Sequence, residues 1–251
     1  MVTDEDPVHY AYHNINTTIK RLLKSAEVED YRIFLGDDKK SNFRYKVAVT
    51  QPYKASRTDN RRPFYEKEMR AYLFDKYDAE LVTGMEVDDV LGIEQTDKTL
   101  LCTNDKDLWM IPGWHFDPEK GKIRSYKNGS KYELKSHLDS AIFYITDPGF
   151  LQLKLVGKKQ KIIGGGQLWF CAQLLLGDST DDIPGVPGYG PVKTYRALQD
   201  VETYKQGIQK VWKIYQNVFN NTAEARLKEV AQLLWIKRNY KEKIFDGSWL
   251  K

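Results

Sequence analysis

Three short acidic runs carry the residue types and spacing that could do chemistry: Met85-Glu86-Val87-Asp88-Asp89-Val90, Thr103-Asn104-Asp105-Lys106-Asp107, and Gly177-Asp178-Ser179-Thr180-Asp181-Asp182-Ile183-Pro184-Gly185. Each adjoins an apolar run, so folding can bring them together around hard divalent cations. Mg²⁺ prefers carboxylate oxygens, and a shared two-ion site is a common apparatus for cutting phosphodiesters. The first reading is a metal-dependent nuclease. The plainer alternative is that each acid caps a helix N-terminus, where Asp and Glu are favoured anyway.

The elements that must position these groups can be read from periodicity. Ile15, Ile19, Leu22 and Leu23 repeat at helical spacing from Asn14 to Ala26, and Tyr31-Arg32-Ile33-Phe34-Leu35 reads as a buried strand. A helix is expected from about Pro63 to Tyr77 with Met69, Leu73 and Phe74 inward, then strands at Ala79 to Val82 and Thr99 to Cys102 around a helix opened by Glu86. Trp114-His115-Phe116 and Lys122 to Tyr126, separated by a turn at Gly121, suggest an antiparallel hairpin. From Gln167 onward the pattern is helical, including Ala223 to Arg238. The expectation is an α/β core built on a mainly parallel sheet (residues 1–163) followed by a helical lobe (residues 164–251). In open α/β sheets functional groups gather beyond the carboxyl ends of the strands. Asp37, the Glu86, Asp88 and Asp89 group, and the pair Asp105 and Asp107 all follow strands, so they should meet on one rim. Crowded carboxylates repel, which raises their pKa values until cations bind.

Two further segments look suited to nucleic acid. Between Lys39 and Arg62 the cations Lys39, Lys40, Arg44, Lys46, Lys54, Arg57, Arg61 and Arg62 are interrupted by Asp59 alone, with Phe43, Tyr45 and Tyr53 among them. Cations can track a phosphate backbone while aromatic faces stack on bases. A solvated charged loop is the alternative. In the second segment, Asp178 and Asp181 stand three apart, a spacing that on a helix gives one face. They precede Gly188-Tyr189-Gly190-Pro191, a hairpin opening a helix whose free N–H groups and nearby Lys193 suit a phosphate. An ordinary Pro/Gly loop between packed helices is the alternative. Lys158-Lys159-Gln160-Lys161 could touch duplex phosphates or be a plain exposed turn.

Composition narrows the class. At 251 residues with 41% hydrophobic and 13% aromatic residues, the chain can bury a sizeable core, and no apolar stretch approaches the ~20 residues of a membrane span. The acidic stretch Met1 to Asp6 has no apolar core like that of a secretory signal, so a cytosolic setting is expected. Cys102 and Cys171 lie in apolar runs and read as buried small hydrophobes, and the four histidines read as structural. No Cys/His spacing resembles a zinc site.

Taken together, the motifs resemble the 5′→3′ exonuclease and flap endonuclease family, with the bacteriophage members and the nuclease domain of bacterial DNA polymerase I as the nearest types. The resemblance rests on Leu35-Gly36-Asp37 with Asn42-Phe43-Arg44, Pro52-Tyr53-Lys54-Ala55-Ser56-Arg57, Glu86-Val87-Asp88-Asp89-Val90, Asp105-Lys106-Asp107, and Gly177 to Thr194. It implies a PIN-like 5′ nuclease core with a basic arch at about residues 38–62 and a helix-hairpin-helix lobe. The implied activity is Mg²⁺-dependent hydrolysis at DNA 5′ ends, flaps or nicks, extending to RNA:DNA hybrids, by a monomer in phage replication within the host cytoplasm. By motif position Asp37, Glu86, Asp88, Asp89, Asp105 and Asp107 look like ligands of one of two Mg²⁺ ions, which Mn²⁺ could replace, with Asp178 and Asp181 completing the second. Lys54 and Arg57 match the basic residues that grip the scissile phosphate. Arg44, Tyr53, Gly188, Gly190 and Lys193 are the expected DNA contacts, and a K⁺ ion is implied at the backbone near Val186, Gly188 and Tyr189. Family members open with a strand ending in a ligating Asp, whereas residues 1–13 contain no comparable apolar strand. Asp182 stands where the family often has Asn. A non-catalytic DNA-junction module and a processing RNase on a related acidic scaffold are the competing readings.

Overall fold

The computed structural model describes residues 6–37, 42–59, 62–119 and 141–242. Helix α1 (Val8–Ala26) presents Leu22 and Ala26 to Leu100, Phe116, Ala141 and Ile142, and stacks Tyr12 on Tyr72 with ring centroids 4.3 Å apart. It ends where Glu27 turns into the left-handed region at φ 57° and its N–H returns to the Leu23 carbonyl. Strand β1 (Phe34–Gly36) follows, then the short helix α2 (Arg44–Val47), a 3-10 helix (Ala55–Asp59) and α3 (Glu66–Tyr77). Met69, Leu73 and Phe74, expected to be interior, are only half-buried, and α3 contributes no fully buried residue. Strand β2 (Glu80–Val82) runs parallel to β1, with Leu35 opposite Leu81.

Helix α4 (Val87–Glu94) opens with Glu86 as its N-cap and a capping box closed by Asp89. Strand β3 (Leu100–Cys102) lies parallel to β4 (Gly113–Phe116), which pairs antiparallel with β5 (Ile142–Ile145). The sequence reading is a mainly parallel sheet, and the β1–β2 and β3–β4 pairs are parallel. Among the described residues there are instead two separate sheets here, β1–β2 and β3–β4–β5. Trp114 to Phe116 form part of β4, while the partner strand expected at residues 122–126 lies outside the described residues.

A long antiparallel ribbon, β6 (Phe150–Val156) and β7 (Lys159–Gly165), leads into the apolar helix α5 (Gly166–Leu176). Six apolar side chains of α5 are fully or nearly fully buried, so it forms the centre of the molecule rather than a surface element. Two-residue strands β8 (Gly177–Asp178) and β9 (Ile183–Pro184) then frame the third acidic run, followed by α6 (Pro191–Leu198), α7 (Tyr204–Phe219) and α8 (Ala223–Leu234). Helix α8 stops four residues before the expected Arg238. The main core joins Leu101, Leu108 and Met110 to Phe170, Leu174 and Leu175 of α5, to Val211 and Tyr215 of α7, and to Leu227 and Ala231 of α8. The helical elements thus share one apolar core with the segment bearing the second acidic run. Both cysteines are free; Cys171 is buried, but Cys102, expected to be buried, is exposed. No helix among the described residues is long and apolar enough to cross a membrane.

Candidate active site

The helical face expected for Asp178 and Asp181 does not form. Gly177 ends α5 at φ +68°, and its chain is so close to Ile183, Pro184 and Gly185 that an added Cβ would lie 2.3 Å from backbone atoms. Asp178 therefore ends β8 and Asp181 sits in the tight loop before β9, where Asp178 Oδ1 accepts from the Thr180 N–H at 2.8 Å.

That acidic loop is laced to the basic segment. The Lys54 N–H donates to the Asp181 carbonyl at 3.0 Å, and the Ser56 N–H and hydroxyl both donate to Asp182 Oδ2 at 2.8 Å. The Gln51 amide donates to the Asp182 carbonyl, and Arg57 Nε reaches the Thr180 carbonyl at 3.4 Å. These bonds hold Asp182 below the usual carboxylate range, chiefly through the Ser56 N–H. From the other side, Glu229 of α8 accepts from the N–H groups of Val49 (2.7 Å) and Thr50 (2.6 Å) and from the Thr50 hydroxyl (2.5 Å). Sequence reading passed over both anchors. Asp182 was visible within its acidic run, but nothing near Glu229 signals a partner 179 residues away.

The acids divide into compensated and uncompensated sets. Lys54 Nζ donates to Glu86 Oε1 at 2.6 Å and lies 3.4 Å from Asp181 Oδ2, and Arg57 pairs with Asp181 Oδ1. The Tyr53 hydroxyl donates between Glu86, at 3.1 Å, and Asp181, at 3.0 Å. Burial first, then the Glu86 charge, push its pKa far above the ordinary phenol range, so it stays a donor. With 4% exposure, Tyr53 cannot stack on a base, which corrects its expected place among the DNA contacts.

Arg44 and Asp89 also depart from expectation. Arg44 is 2% exposed and Asp89 is fully buried, with Nη1 to Oδ2 at 2.6 Å and Nη2 to Oδ1 at 2.9 Å. The guanidinium also donates to the carbonyls of Leu233 (2.9 Å) and Trp235 (2.7 Å), satisfying groups at the C-terminal end of α8. Asp89 further accepts from the N–H groups of Glu86 and Lys237. Both carboxylate oxygens of Asp89 and four of the five guanidinium N–H groups of Arg44 are used inside the protein, and Arg44 Nη1 also lies 3.7 Å from Glu86 Oε2. Arg44 is therefore no contact for DNA, and Asp89 no ligand for a metal; the pair ties α4 to α8.

Asp88, Asp105, Asp107 and Asp178 remain, and among the described residues none of them forms an ion pair. Burial first, then the charges of Asp105 and Glu86, push Asp88 up to about 6. Burial first, then Asp105, Asp178, Asp181 and Asp88, push Asp107 up to about 7. The second and third acidic runs thus act on each other through space, as carboxylates on one rim must. Gln173 of α5 donates to Asp107 Oδ1 at 2.6 Å, and the Asp107 N–H donates to Asp105 Oδ1 at 2.9 Å, fixing both orientations. Asp37 leaves β1 at the same end, with its N–H on the Val82 carbonyl at 3.0 Å. Hard oxygen donors carrying unneutralised charge fit a divalent cation chemically. They are not yet a cage, however: among the described residues no three His, Cys, Asp or Glu side chains lie close enough to hold an ion.

At the expected hairpin, Gly188 takes φ +77°, Gly190 caps α6 with Pro191 in the first turn, and a Cβ on Gly190 would meet nothing within 4 Å. The backbone there is open to solvent. Lys193 Nζ lies 4.1 Å above the Tyr189 ring.

No family model matches the chain, and no curated protein matches it. Among solved structures it is similar to the D15 protein of T5 co-crystallised with metal ions, with 16% identity, a TM-score of 0.47, and coverage of 91% of this chain and 89% of that one. It is also similar to the bacteriophage T5 D15 flap endonuclease in a complex with DNA and metal ions, at 14% identity and TM-score 0.47 over 92% and 93% of the two chains. A third similarity, at 16% identity and TM-score 0.45 over 92% and 93%, is to the T5 5′-exonuclease with zinc bound.

Proposed function

We propose that this chain is a divalent-metal-dependent 5′ nuclease of the exonuclease and flap endonuclease type, acting on DNA at 5′ ends, flaps or nicks. One observation carries the reading: Asp105 raises the proton affinity of Asp88, and Asp105, Asp178 and Asp88 raise that of Asp107, beside a loop that presents Lys54 and Arg57. Crowded carboxylate charge that no cation neutralises costs stability and persists where function uses it.

Asp88, Asp105, Asp107 and Asp178 would hold the cations, Mg²⁺ in the first instance, with Asp37 beside them on the strand rim. Bound there, a divalent ion supplies positive charge to the phosphate oxygens and favours ionisation of water. Lys54 adds charge where it develops on the phosphoryl oxygens. Arg57, whose side chain is 41% exposed, can exchange Asp181 for a phosphate. Tyr53 holds Glu86 and Asp181 in register while both cations engage substrate. The open backbone at Gly188 and Gly190, with Lys193, would take a phosphate of the duplex arm. Residues 1–163 would serve as the nuclease core and residues 164–251 as the lobe gripping the duplex, with K⁺ at the hairpin as a further expectation. The substrate class rests on the motif resemblance.

A second reading, a DNA-junction module without catalysis, is favoured by the absence of a ready ligand cage among the described residues and by Lys54 lying between Glu86 and Asp181. Incubating the chain with a 5′-labelled flap duplex, in Mg²⁺ and in EDTA, separates the two. Metal-dependent release of short products supports the nuclease. Salt-sensitive binding with no cleavage supports the module. An RNA:DNA hybrid run in parallel reads substrate breadth.

A further inference from the structure

We propose that the outer face of the β6–β7 ribbon, carrying Lys154, Lys159 and Lys161, is a docking surface for the phosphate backbone of duplex nucleic acid. The proposal rests on the nucleic-acid reading above for the identity of its occupant, and on the ribbon itself for its location.

The register decides which side chains share a face. Lys154 stands directly opposite Lys161, and Val156 opposite Lys159. Residues alternate between faces along a strand, so Lys154, Val156, Lys159 and Lys161 lie on one side, while Leu153 opposite Ile162 faces the other way, into the core. Lys158 follows Gly157 in the turn. No Asp or Glu occurs from Phe150 to Gly166. All four lysines are exposed, and among the described residues none of them has an ion-pair partner.

Like charges directly across an antiparallel pair are destabilising. An isolated hairpin selected for stability alone would place an acid or a neutral residue at one of the two positions. The ribbon also extends past its buried part: Leu155 is 71% exposed and Val156 52% exposed. It therefore carries charge outward on a stiff two-stranded arm, a shape that a DNA groove admits. Lys159 and Lys161, two residues apart on one strand, are separated by about 7 Å, with Lys154 about 5 Å across from Lys161. Such a row can meet successive phosphates. The ribbon packs along α6, whose first turn bears Lys193, so this surface belongs to the same unit as the Gly188–Gly190 hairpin.

Fluorescence anisotropy with a 5′-labelled flap duplex, in EDTA and over a salt series, tests the proposal without requiring hydrolysis. The triple variant K154Q/K159Q/K161Q should bind about tenfold or more weakly at ~0.1 M salt, with the log–log salt slope smaller by about 2 to 3. The charge reversal K154E should raise the melting temperature at low salt, since it turns a like-charge pair into an opposite-charge pair, while weakening duplex binding. A purely structural or idle hairpin would not move stability and affinity in opposite directions. Parent affinity and parent salt slope in a folded triple variant overturn the proposal, as does a K154E variant that binds like the parent. Cleavage by the parent together with unchanged binding in the triple variant would sink the ribbon assignment alone. Ribbon-dependent binding with no cleavage would sink the hydrolytic reading alone.

Discussion

Lys54 donates from Nζ to Glu86 Oε1 at 2.6 Å from a backbone held in the left-handed region at φ 54°. A non-glycine residue there costs about 1–2 kcal/mol, and such strain collects at functional sites. The Asp181 carbonyl fixes the turn by accepting the Lys54 N–H. The ammonium is thereby placed between two acids and beside Asp88, whose pKa it lowers.

Replacing this ammonium tests its role in the chemistry. Lys54→Met should slow cleavage of a flap substrate by about 100-fold or more, the scale seen when one charge-stabilising donor is lost. Affinity measured in EDTA should stay within a few-fold. Single-turnover kinetics beside anisotropy read the two effects separately, and a Met variant that cuts at the parent rate would remove Lys54 from the mechanism.

Asp88 and Asp107 set the pH dependence of stability. Their folded pKa values, about 6 and about 7, lie above the ~3.9 of an unfolded Asp. The folded state therefore binds more protons than the unfolded state between about pH 4 and 7, and stability falls as pH rises through that window. Asp88→Asn with Asp107→Asn should abolish the fall these two groups cause. Melting curves of parent and double variant in EDTA should diverge as pH rises to about 8, with the variant the more stable. Parallel curves would contradict the assignment.

Divalent cation acts on the same groups with the opposite sign. Ligand bound only to the folded state raises stability by mass action. Mg²⁺ should raise the melting temperature of the parent more at about pH 8 than at about pH 5, where protons compete for the same oxygens. Calorimetry with Mg²⁺ and with Mn²⁺ gives the comparison, and the Asp88→Asn, Asp107→Asn variant should lose most of the gain.

The buried Arg44 to Asp89 pair predicts a stability effect rather than a catalytic one. Arg44→Met leaves Asp89 charged and without its guanidinium partner in a fully buried site, at a cost of about 3–5 kcal/mol. Urea unfolding measures it. A loss below about 1 kcal/mol would show that the pair does not tie α4 to α8.

Glu229 should act through the loop it holds. Glu229→Ala frees the N–H groups of Val49 and Thr50, five and four residues before Lys54, and should lower the cleavage rate about tenfold by loosening that turn. Glu229→Gln keeps an acceptor oxygen and should recover part of the rate. Equal loss in both variants would point to charge rather than positioning.

Much of the scaffold was legible in the residues alone. Apolar spacing located α3, α4, the strands β1, β2 and β3 and the C-terminal end of α1 to within a few residues, because local periodicity is set by which face must be buried, whereas α1 starts at Val8, six residues before the expected Asn14. The first two acidic runs announced themselves because each follows a strand, where parallel topology delivers groups to one rim. The helical face supposed for Asp178 and Asp181 failed because spacing of three is equally available to a tight loop, and Gly177 makes the loop.

What the sequence by itself determined was therefore the inventory: acids enough for a divalent ion, a cationic segment, and the order in which elements present them. Only the tertiary structure decided how the charges are spent. Arg44 and Asp89 cancel each other in the interior, Lys54 and Arg57 hold Glu86 and Asp181, and Asp88, Asp105, Asp107 and Asp178 keep their charge unmet. Pairing between residues 32 to 128 positions apart depends on distance and burial, which have no signature in local residue order.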